Sequence, residues 1–518
     1  MTIGAVVERA ARDRAGDPAV VDGEVVLTNE ALAARAGEVA RALVGSGLGR
    51  GDAVAIWAPN AWTWIAAALG AHAIGAVLVP INTRYKGEEA AHVLARSRAR
   101  VLFTVDGFLG ASYPALLRAA AVPLPALETI VVAGGAASEG TIGWADFVAR
   151  GARVAPADVA RHAAAVSPDD VGDLMFTSGT TGRPKGVGGR HAQSLRAFGD
   201  WAELVGLRRG DRYLVVAPFF HSFGYKAGWL AALMTGAVVH PQPVFDVDRV
   251  LARIAAERIT VLPGPPTLYL SLLAHPARSG ADLSSLRLAV TGAASVPVEL
   301  VRRMGSELGF ETVLTGYGLT ETTGCATLCR AGDDAETVAT TSGRAMPGVE
   351  VAIVDDDGAP VATGGLGEIV IRGYNVMRGY LDDPAATAET IDAAGWLRTG
   401  DIGALDDRGN LRITDRKKDM FIVGGFNAYP AEIEATLVRH PAVAHVAVVG
   451  APDDRLGEVG VAFVVPRPGV TVTADDLISW SRDRMANFKV PRRIILVDAL
   501  PQNASGKVLK GELRARVR

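Results

Sequence analysis

An α/β fold with a smaller second domain is predicted by three features of the sequence. Its 518 residues exceed what one hydrophobic core organises, so at least two domains are expected. Apolar runs of strand length alternate with amphipathic stretches of helix length, the pattern of parallel sheets covered by helices on both faces. After about Gly364 the pattern changes to short strands parted by Gly and Asp turns, then to a mixed segment of helices and strands.

Element by element, Thr28 can cap a helix carried by Leu32, Val39 and Leu43 that stops near Gly45 and Gly47. A strand at 53–57, a helix from about Ala61 and a strand at 76–79 follow, and strands are predicted again at 211–218, 260–263 and 286–291. GLGEIVIRG, GNLRITD and KDMFIVGG read as short strands. A helix starts at Pro430, a good first-turn residue, and carries Ile433 and Leu437. Strands at 443–449 and 461–465, a helix from Ala474, and a closing strand, loop and short basic helix complete the order. The expected division is a large domain over 1–415, with parallel-rich sheets and a β-subdomain, a link at 416–419, and a small α+β domain over 420–518.

The composition excludes several function classes. A net charge of −3 offers no electrostatic attraction to nucleic acid or an anionic membrane, and 49% hydrophobic with 21% charged residues is the make-up of an ordinary globular protein. Arg514, Arg516 and Arg518 read as a solvated helix end. Two cysteines, Cys325 and Cys329, exclude a disulfide scaffold, supply at most half a zinc site and suit a reducing compartment. The N-terminal residues carry charges where a signal peptide needs its apolar segment. The most apolar stretch, 65–81, is broken by Gly70, His72, Gly75 and Pro80 and falls short of the ~20 residues of a membrane span. A cytoplasmic enzyme is the expectation.

The densest chemical signal is TSGTTGRPKG at 177–186, with three glycines, four hydroxyl residues and one lysine. Glycines let backbone N–H groups converge on an anion, hydroxyls add donors and Lys185 adds a point charge, which together make a phosphate cradle. Leu174, Met175 and Phe176 mark a strand leading into it. It is not a Walker A loop, because no Gly-Lys-Ser/Thr closes it at the required spacing. Only eight of the 53 basic residues are lysine, so Lys185 and Lys507, both in Gly-containing loops, stand where a compact ammonium serves better than a guanidinium fork.

With TSGTTGRPKG, the residues Tyr317-Gly318-Leu319-Thr320-Glu321, Thr399-Gly400-Asp401, the pair Asp415 and Arg416, and Asn503 to Lys507 occur in the order of the adenylate-forming enzymes. The chain resembles that superfamily, which includes acyl-CoA synthetases, luciferases and peptide-synthetase adenylation domains, over nearly its whole length. The resemblance implies that Thr177, Ser178, Gly179, Thr180, Thr181, Gly182 and Lys185 hold the β- and γ-phosphates of ATP. It implies that Gly292, Ala293 and Ala294, with the Tyr317 ring, frame the adenine. Thr320 would contact the α-phosphate, Glu321 would place Mg²⁺, and Asp401, assisted by Arg416, would hold the ribose hydroxyls. Lys507 would reach the reacting carboxylate and α-phosphate, offsetting the repulsion between two anions. The resemblance also implies a small mobile domain pivoting near Lys418, which in a second pose brings Gly424 and Gly425 to line a channel for coenzyme A. A plain strand-end turn stays open for that Gly-Gly.

Substrate choice is expected between Pro218 and Tyr225, in PFFHSFGY, and around Gly316, Gly318 and the turn to Gly324. The resemblance puts His221 at the gate of the acyl channel; Phe219, Phe220 and Phe223 would form an apolar wall, some of it ordinary core, and Tyr225 is expected among the substrate residues. A carboxylate nucleophile is ionised at neutral pH and needs no base. Unless Lys226 turns inward, no cation is placed for a second carboxylate, so a hydrophobic acid is expected. APFFHSFGYKAGW, LPGPPTLY and DMFIVGGFNAYPAEIE resemble an actinobacterial subgroup of CoA ligases that acts on hexahydroindanedione propionate, a bicyclic acid of steroid-ring breakdown. The expected activity is ligation of such an acid to CoA with ATP split to AMP and pyrophosphate, on small-molecule partners alone. Medium- or long-chain, aryl and dicarboxylic acids, a carrier-protein acceptor, a luciferase-like oxygenase, a non-catalytic nucleotide sensor and a homodimeric state stay open.

Overall fold

A computed structural model of the chain describes residues 1–177, 184–292, 296–355, 357–416, 420–501, 508 and 510–517. Apolar runs without alternation form strands buried on both faces, because a parallel sheet lies between two helical layers. Ala53–Trp57 and Val77–Pro80 are buried at every position and pair in parallel. Val101–Phe108, Thr129–Gly134 and Ile142–Gly143 extend this sheet on one side, and Val171–Thr177 with antiparallel Lys185–Arg190 extends it on the other. The helix Trp62–Ala73 is buried from Trp64 through His72 because protein covers it all round. It packs on the helix Asn29–Gly45, whose first turn is capped by Thr28, the Oγ1 accepting from the Ala31 N–H at 3.1 Å.

A second set of strands holds Arg212–Val215, Val238–Pro241 and the hairpin Pro18–Asp22/Val25–Thr28, which the sequence did not announce. The strand expected at 260–263 is reduced to single bridges from Val261 to Tyr213 and to Leu288, because Pro263, Pro265 and Pro266 offer no ladder N–H. Those bridges carry the sheet on to Leu288–Gly292 and Thr312–Tyr317, paired in parallel. The strand expected at 211–218 ends at Val215.

Four antiparallel strands, Val349–Val354, Gly367–Gly373, Leu397–Leu405 and Leu411–Arg416, form the β-subdomain. The small C-terminal domain is a five-stranded sheet of Phe421–Val423, Phe426–Ala428, Val443–Asp453, Gly457–Pro466 and Arg493–Leu496. One face packs Phe421, Val448 and Ala462 under the helices Pro430–Leu437 and Ala474–Arg482. The other packs Val449 and Phe463 against Val508 and Leu513. Among the described residues no helix is long and apolar enough to cross a membrane.

Candidate active site

The phosphate-loop strand and its return are register partners to the very mouth of the loop, with Thr177 opposite Lys185. Ser178, Gly179, Thr180, Thr181 and Gly182, together with Ala293, Ala294, Lys418 and Lys507, lie outside the described residues, as does the Arg416 side chain. Lys185 projects over the ring of Tyr380, Nζ 4.8 Å from its centroid, a cation–π distance. Tyr380 was not anticipated. It is held there by the N–H of Leu381, which donates to the Gly186 carbonyl at 2.7 Å, and by its own N–H, which donates to Thr387 Oγ1 at 2.9 Å.

The hydroxyl of Tyr380 donates to Glu321 Oε1 at 3.0 Å. Glu321 lies in the single turn Thr320–Thr322, closed by Thr323 in the left-handed region and anchored where the Met377 N–H donates to the Glu321 carbonyl at 2.8 Å. Burial raises the Glu321 pKa, Asp401 adds to that, and Tyr380 and Lys185 oppose it. A part-buried carboxylate near a lysine is a site suited to compensating positive charge.

The residues expected to frame the adenine converge at the carboxyl ends of two parallel strands, where open α/β sheets bind ligands. Gly292 and Gly316 are register partners there, and a Cβ on Gly292 (φ 154°) would come within 2.8 Å of the Gly316 carbonyl oxygen. Tyr317 donates its hydroxyl to Asp401 Oδ2 at 2.6 Å, tying the expected adenine and ribose residues across 84 positions. Asp401 lies on Leu397–Leu405 beside Arg416 in register, so it belongs to a ladder rather than a loose turn. Gly318 faces its own loop: a Cβ there would meet Gly324 at 2.5 Å, so its lack of a side chain lets the 318–325 segment double back.

The acyl segment touches that loop directly, since a Cβ on Gly324 would come within 2.8 Å of Ser222. Asn60 clamps the approach: its Nδ2 donates to the carbonyls of Val215 and Ala217, and its Oδ1 accepts from the Phe219 N–H at 2.7 Å. His221 is exposed and begins the short turn Ser222–Gly224, its Nδ1 accepting from the Phe223 N–H at 3.3 Å. Phe220 and Phe223 are part-buried.

Phe219 and Tyr225 are corrections. Both are fully buried and line no accessible surface. Phe219 packs edge-on against Trp64, whereas Tyr225 stacks on Trp229 and hydrogen-bonds His72 Nε2 at 2.9 Å. A π-helical stretch, Tyr225–Leu230, widens the helix here and turns both Tyr225 and Lys226 inward. Lys226 Nζ reaches Asp173 Oδ1 at 3.0 Å, on the phosphate-loop strand, with both groups buried. Gly189 leaves the room, since a Cβ there would lie 2.7 Å from Asp173 and 3.0 Å from Lys226 Nζ.

The small domain presents Gly424 (φ 55°) and Gly425 (φ 87°), both in the left-handed region, toward the large one. A Cβ on Gly425 would sit 3.5 Å from Pro265, and Tyr429 lies close enough to Tyr380 to raise its pKa, behind the larger effects of burial and Glu321. So the small domain meets the large one at Pro265 and Tyr380.

The family described as "AMP-binding enzyme" matches residues 7–381, and "AMP-binding enzyme C-terminal domain" matches 432–507. The 3-[(3aS,4S,7aS)-7a-methyl-1,5-dioxo-octahydro-1H-inden-4-yl]propanoyl:CoA ligase of Rhodococcus jostii is 52% identical over 99% of this chain and 98% of its own. The ligase of the same description from Mycobacterium tuberculosis is 53% identical with the same coverage. Among solved structures, the amide bond synthetase McbA from Marinactinospora thermotolerans superposes with a TM-score of 0.86 at 30% identity, covering 100% of this chain and 99% of that one. Matched through both its large and its small domain, the chain belongs to the AMP-binding enzyme family and is an acid–thiol ligase of the acyl-CoA synthetase kind.

Proposed function

We propose that this ligase joins 3-[(3aS,4S,7aS)-7a-methyl-1,5-dioxo-octahydro-1H-inden-4-yl]propanoate to coenzyme A by way of its acyl-adenylate. The observation that carries the reading is the meeting, at one mouth, of Tyr317 with Asp401 and of Lys185 and Tyr380 with Glu321. Such a mouth suits a nucleotide held with its base and ribose on one side and its phosphates on the other. The substrate's carboxylate attacks the α-phosphorus, pyrophosphate leaves, and the thiol of CoA then attacks the acyl carbon, releasing AMP. Lys185 and Lys507 supply charge that offsets the meeting of two anions in the first step. Arg416 assists Asp401 at the ribose, Thr320 meets the α-phosphate, and Thr177 with the loop residues Ser178, Gly179, Thr180, Thr181 and Gly182 cradles the outer phosphates.

Glu321 suits Mg²⁺. A small hard cation keeps several waters and takes one or two carboxylates plus substrate phosphates, which fits one prepared carboxylate better than a protein cage. Among the described residues, no group of three His, Cys, Asp or Glu side chains forms such a cage. The cation would shield the phosphates from the approaching carboxylate.

Substrate class follows from the acyl segment and the relatives. Lys226 is spent on Asp173, which disfavours a second carboxylate on the acid. The part-buried rings of Phe220 and Phe223 favour an apolar body, with His221 at its entrance. The two relatives above 50% identity are described as acting on the bicyclic propionate. In this reading residues 1–415 bind acid and ATP, 416–419 form a hinge around Lys418, and 420–518 swing between a pose that delivers Lys507 and one that brings Gly424 and Gly425 to the site. A cytoplasmic setting, where ATP and CoA are supplied, follows. The test is CoA-dependent AMP release with the bicyclic propionate beside octanoate, palmitate, ferulate and malonate. The bicyclic acid should give the highest kcat/KM, and a higher value for any of the others would reject this substrate.

A further inference from the structure

The seam between the domains holds a buried lysine that the activity so far described does not use. Lys489, 1% exposed, belongs to the small domain. Its Nζ lies 2.5 Å from Glu432 Oε1 of the same domain and 2.7 Å from Glu89 Oε1 of the large domain, across 400 residues of sequence. The ammonium also stands over the Tyr85 ring of the large domain, 4.5 Å from its centroid.

Glu89 is fixed in advance, because its other oxygen accepts from the Lys86 N–H at 2.9 Å at the start of the helix Gly87–Ser97. Around the charges the seam is apolar. Ala486 is buried with Val79 and Leu94 of the large domain, and Phe488 packs against the same cluster while stacking on Phe426, beside the glycine turn. An exposed pair, Arg439 with Glu88 at 3.0 Å, borders it. Burial by itself would lower the Lys489 pKa; Glu89 and Glu432 outweigh it, and the lysine stays charged.

We propose that Lys489, seated between Glu89 and Glu432, is a positioning residue that latches the small domain in the pose presenting Gly424 and Gly425, and so serves the thiol step alone. This rests on the two-pose reading above. One ammonium faces two carboxylates, and only the docked pose puts Glu89 within its reach. Breaking a buried ion pair by removing one partner leaves an uncompensated buried charge, and the molecule relieves it by undocking rather than by unfolding. The latch must therefore open for the first step and close for the second, and the state with all three groups in contact is the one that receives CoA.

The test compares Lys489→Met with Glu89→Gln, one variant in each domain. Two half-reactions are measured with the bicyclic propionate: pyrophosphate exchange into ATP, and acyl-CoA formation from chemically prepared acyl-AMP. Spin labels at Glu24→Cys and Asp475→Cys report the interdomain distance in the ligand-free protein by double electron–electron resonance. Both variants should slow acyl-CoA formation about tenfold or more, leave exchange within about twofold of wild type, and move the distance distribution away from its wild-type maximum. Equal slowing of both half-reactions, no slowing of the thiol step, or an unmoved distance distribution overturns the latch. A wild type that fails on this acid while the distance still shifts would sink the substrate proposal and keep the latch. Glu89→Gln, a near-isosteric change on the large domain, carries the test should Lys489→Met fail to fold.

Discussion

Lys226 and Lys489 are both almost inaccessible, yet they are buried in different kinds of place. Lys226 joins two elements of the large domain, the π-helical stretch Tyr225–Leu230 and the strand Val171–Thr177 that leads into the expected phosphate loop. Its carboxylate partner, Asp173, is buried beside it, and burial raises that carboxyl's pKa against the pull of the lysine. Lys489 joins two domains and has a carboxylate from each. A charge pair closed inside one core has to be made once, at folding. One closed across a seam can be remade in each turnover, because part of its desolvation cost is returned whenever the seam opens. The first fixes the register of a site, and the second selects between arrangements of it.

The strongest way to sharpen that contrast is Lys226→Met. It strands the Asp173 carboxylate in the core and should cost about 3–5 kcal/mol of stability in denaturant unfolding, lowering both half-reactions together. The double change Lys226→Met with Asp173→Leu should recover most of the loss, since well-packed apolar pairs replace buried ions at little cost. Selective damage to the thiol step by Lys226→Met would erase the distinction from Lys489.

A pH titration probes the same buried network. His191 stacks edge-on to His72 at 5.4 Å, and burial holds its pKa at about 4, below the ordinary 6.5. Between those values the unfolded chain takes up a proton that the folded chain refuses, so stability falls as pH drops from 6.5 toward 4. At pH 5 the loss from His191 alone should be about 2 kcal/mol. Chemical denaturation at pH 7 and 5 measures it, and His191→Gln should flatten the slope.

On the seam side, Gly425→Val places a branched side chain at φ 87° against Pro265. A strain of about 1–2 kcal/mol should slow acyl-CoA formation from acyl-AMP about tenfold while sparing pyrophosphate exchange. The smallest effect expected is that of Tyr380→Phe. Losing its hydrogen bond to Glu321, worth about 1 kcal/mol, should slow adenylation about fivefold and leave the thiol step alone. Stopped assays of each half-reaction check both.

What the sequence made legible tracks where chemistry dictates residue type. The hairpin that ends in Thr177 and Lys185, the pair of Gly292 and Gly316, and the contact of Tyr317 with Asp401 join residues already singled out, because anion cradles and tight strand ends admit few side chains. Glu89 and Lys489 were illegible, since a pairing across 400 positions leaves no local pattern and a lysine followed by a proline-containing strand entry looks like solvated surface. Tyr380 was missed for a related reason. Its position depends on Gly186 and Thr387, and an aromatic residue beside Gly379 reads as an ordinary turn. PFFHSFGY is rich in aromatic rings, so its pattern does not separate pocket wall from core at Phe219 and Tyr225. The Asn60 clamp and the π-helical stretch, neither visible as periodicity, turn those two rings into the core. Val261 shows the same limit, with prolines cutting an apparent strand to one bridging residue.

Carboxyl-¹⁸O-labelled bicyclic propionate, followed through a single turnover with ATP and CoA, tests the chemistry at its root. If the acid's own oxygen attacks the α-phosphorus, one labelled oxygen must appear in AMP and none in pyrophosphate. Label in inorganic phosphate or pyrophosphate, or AMP that carries none, would contradict an acyl-adenylate and the reading of the site built on it.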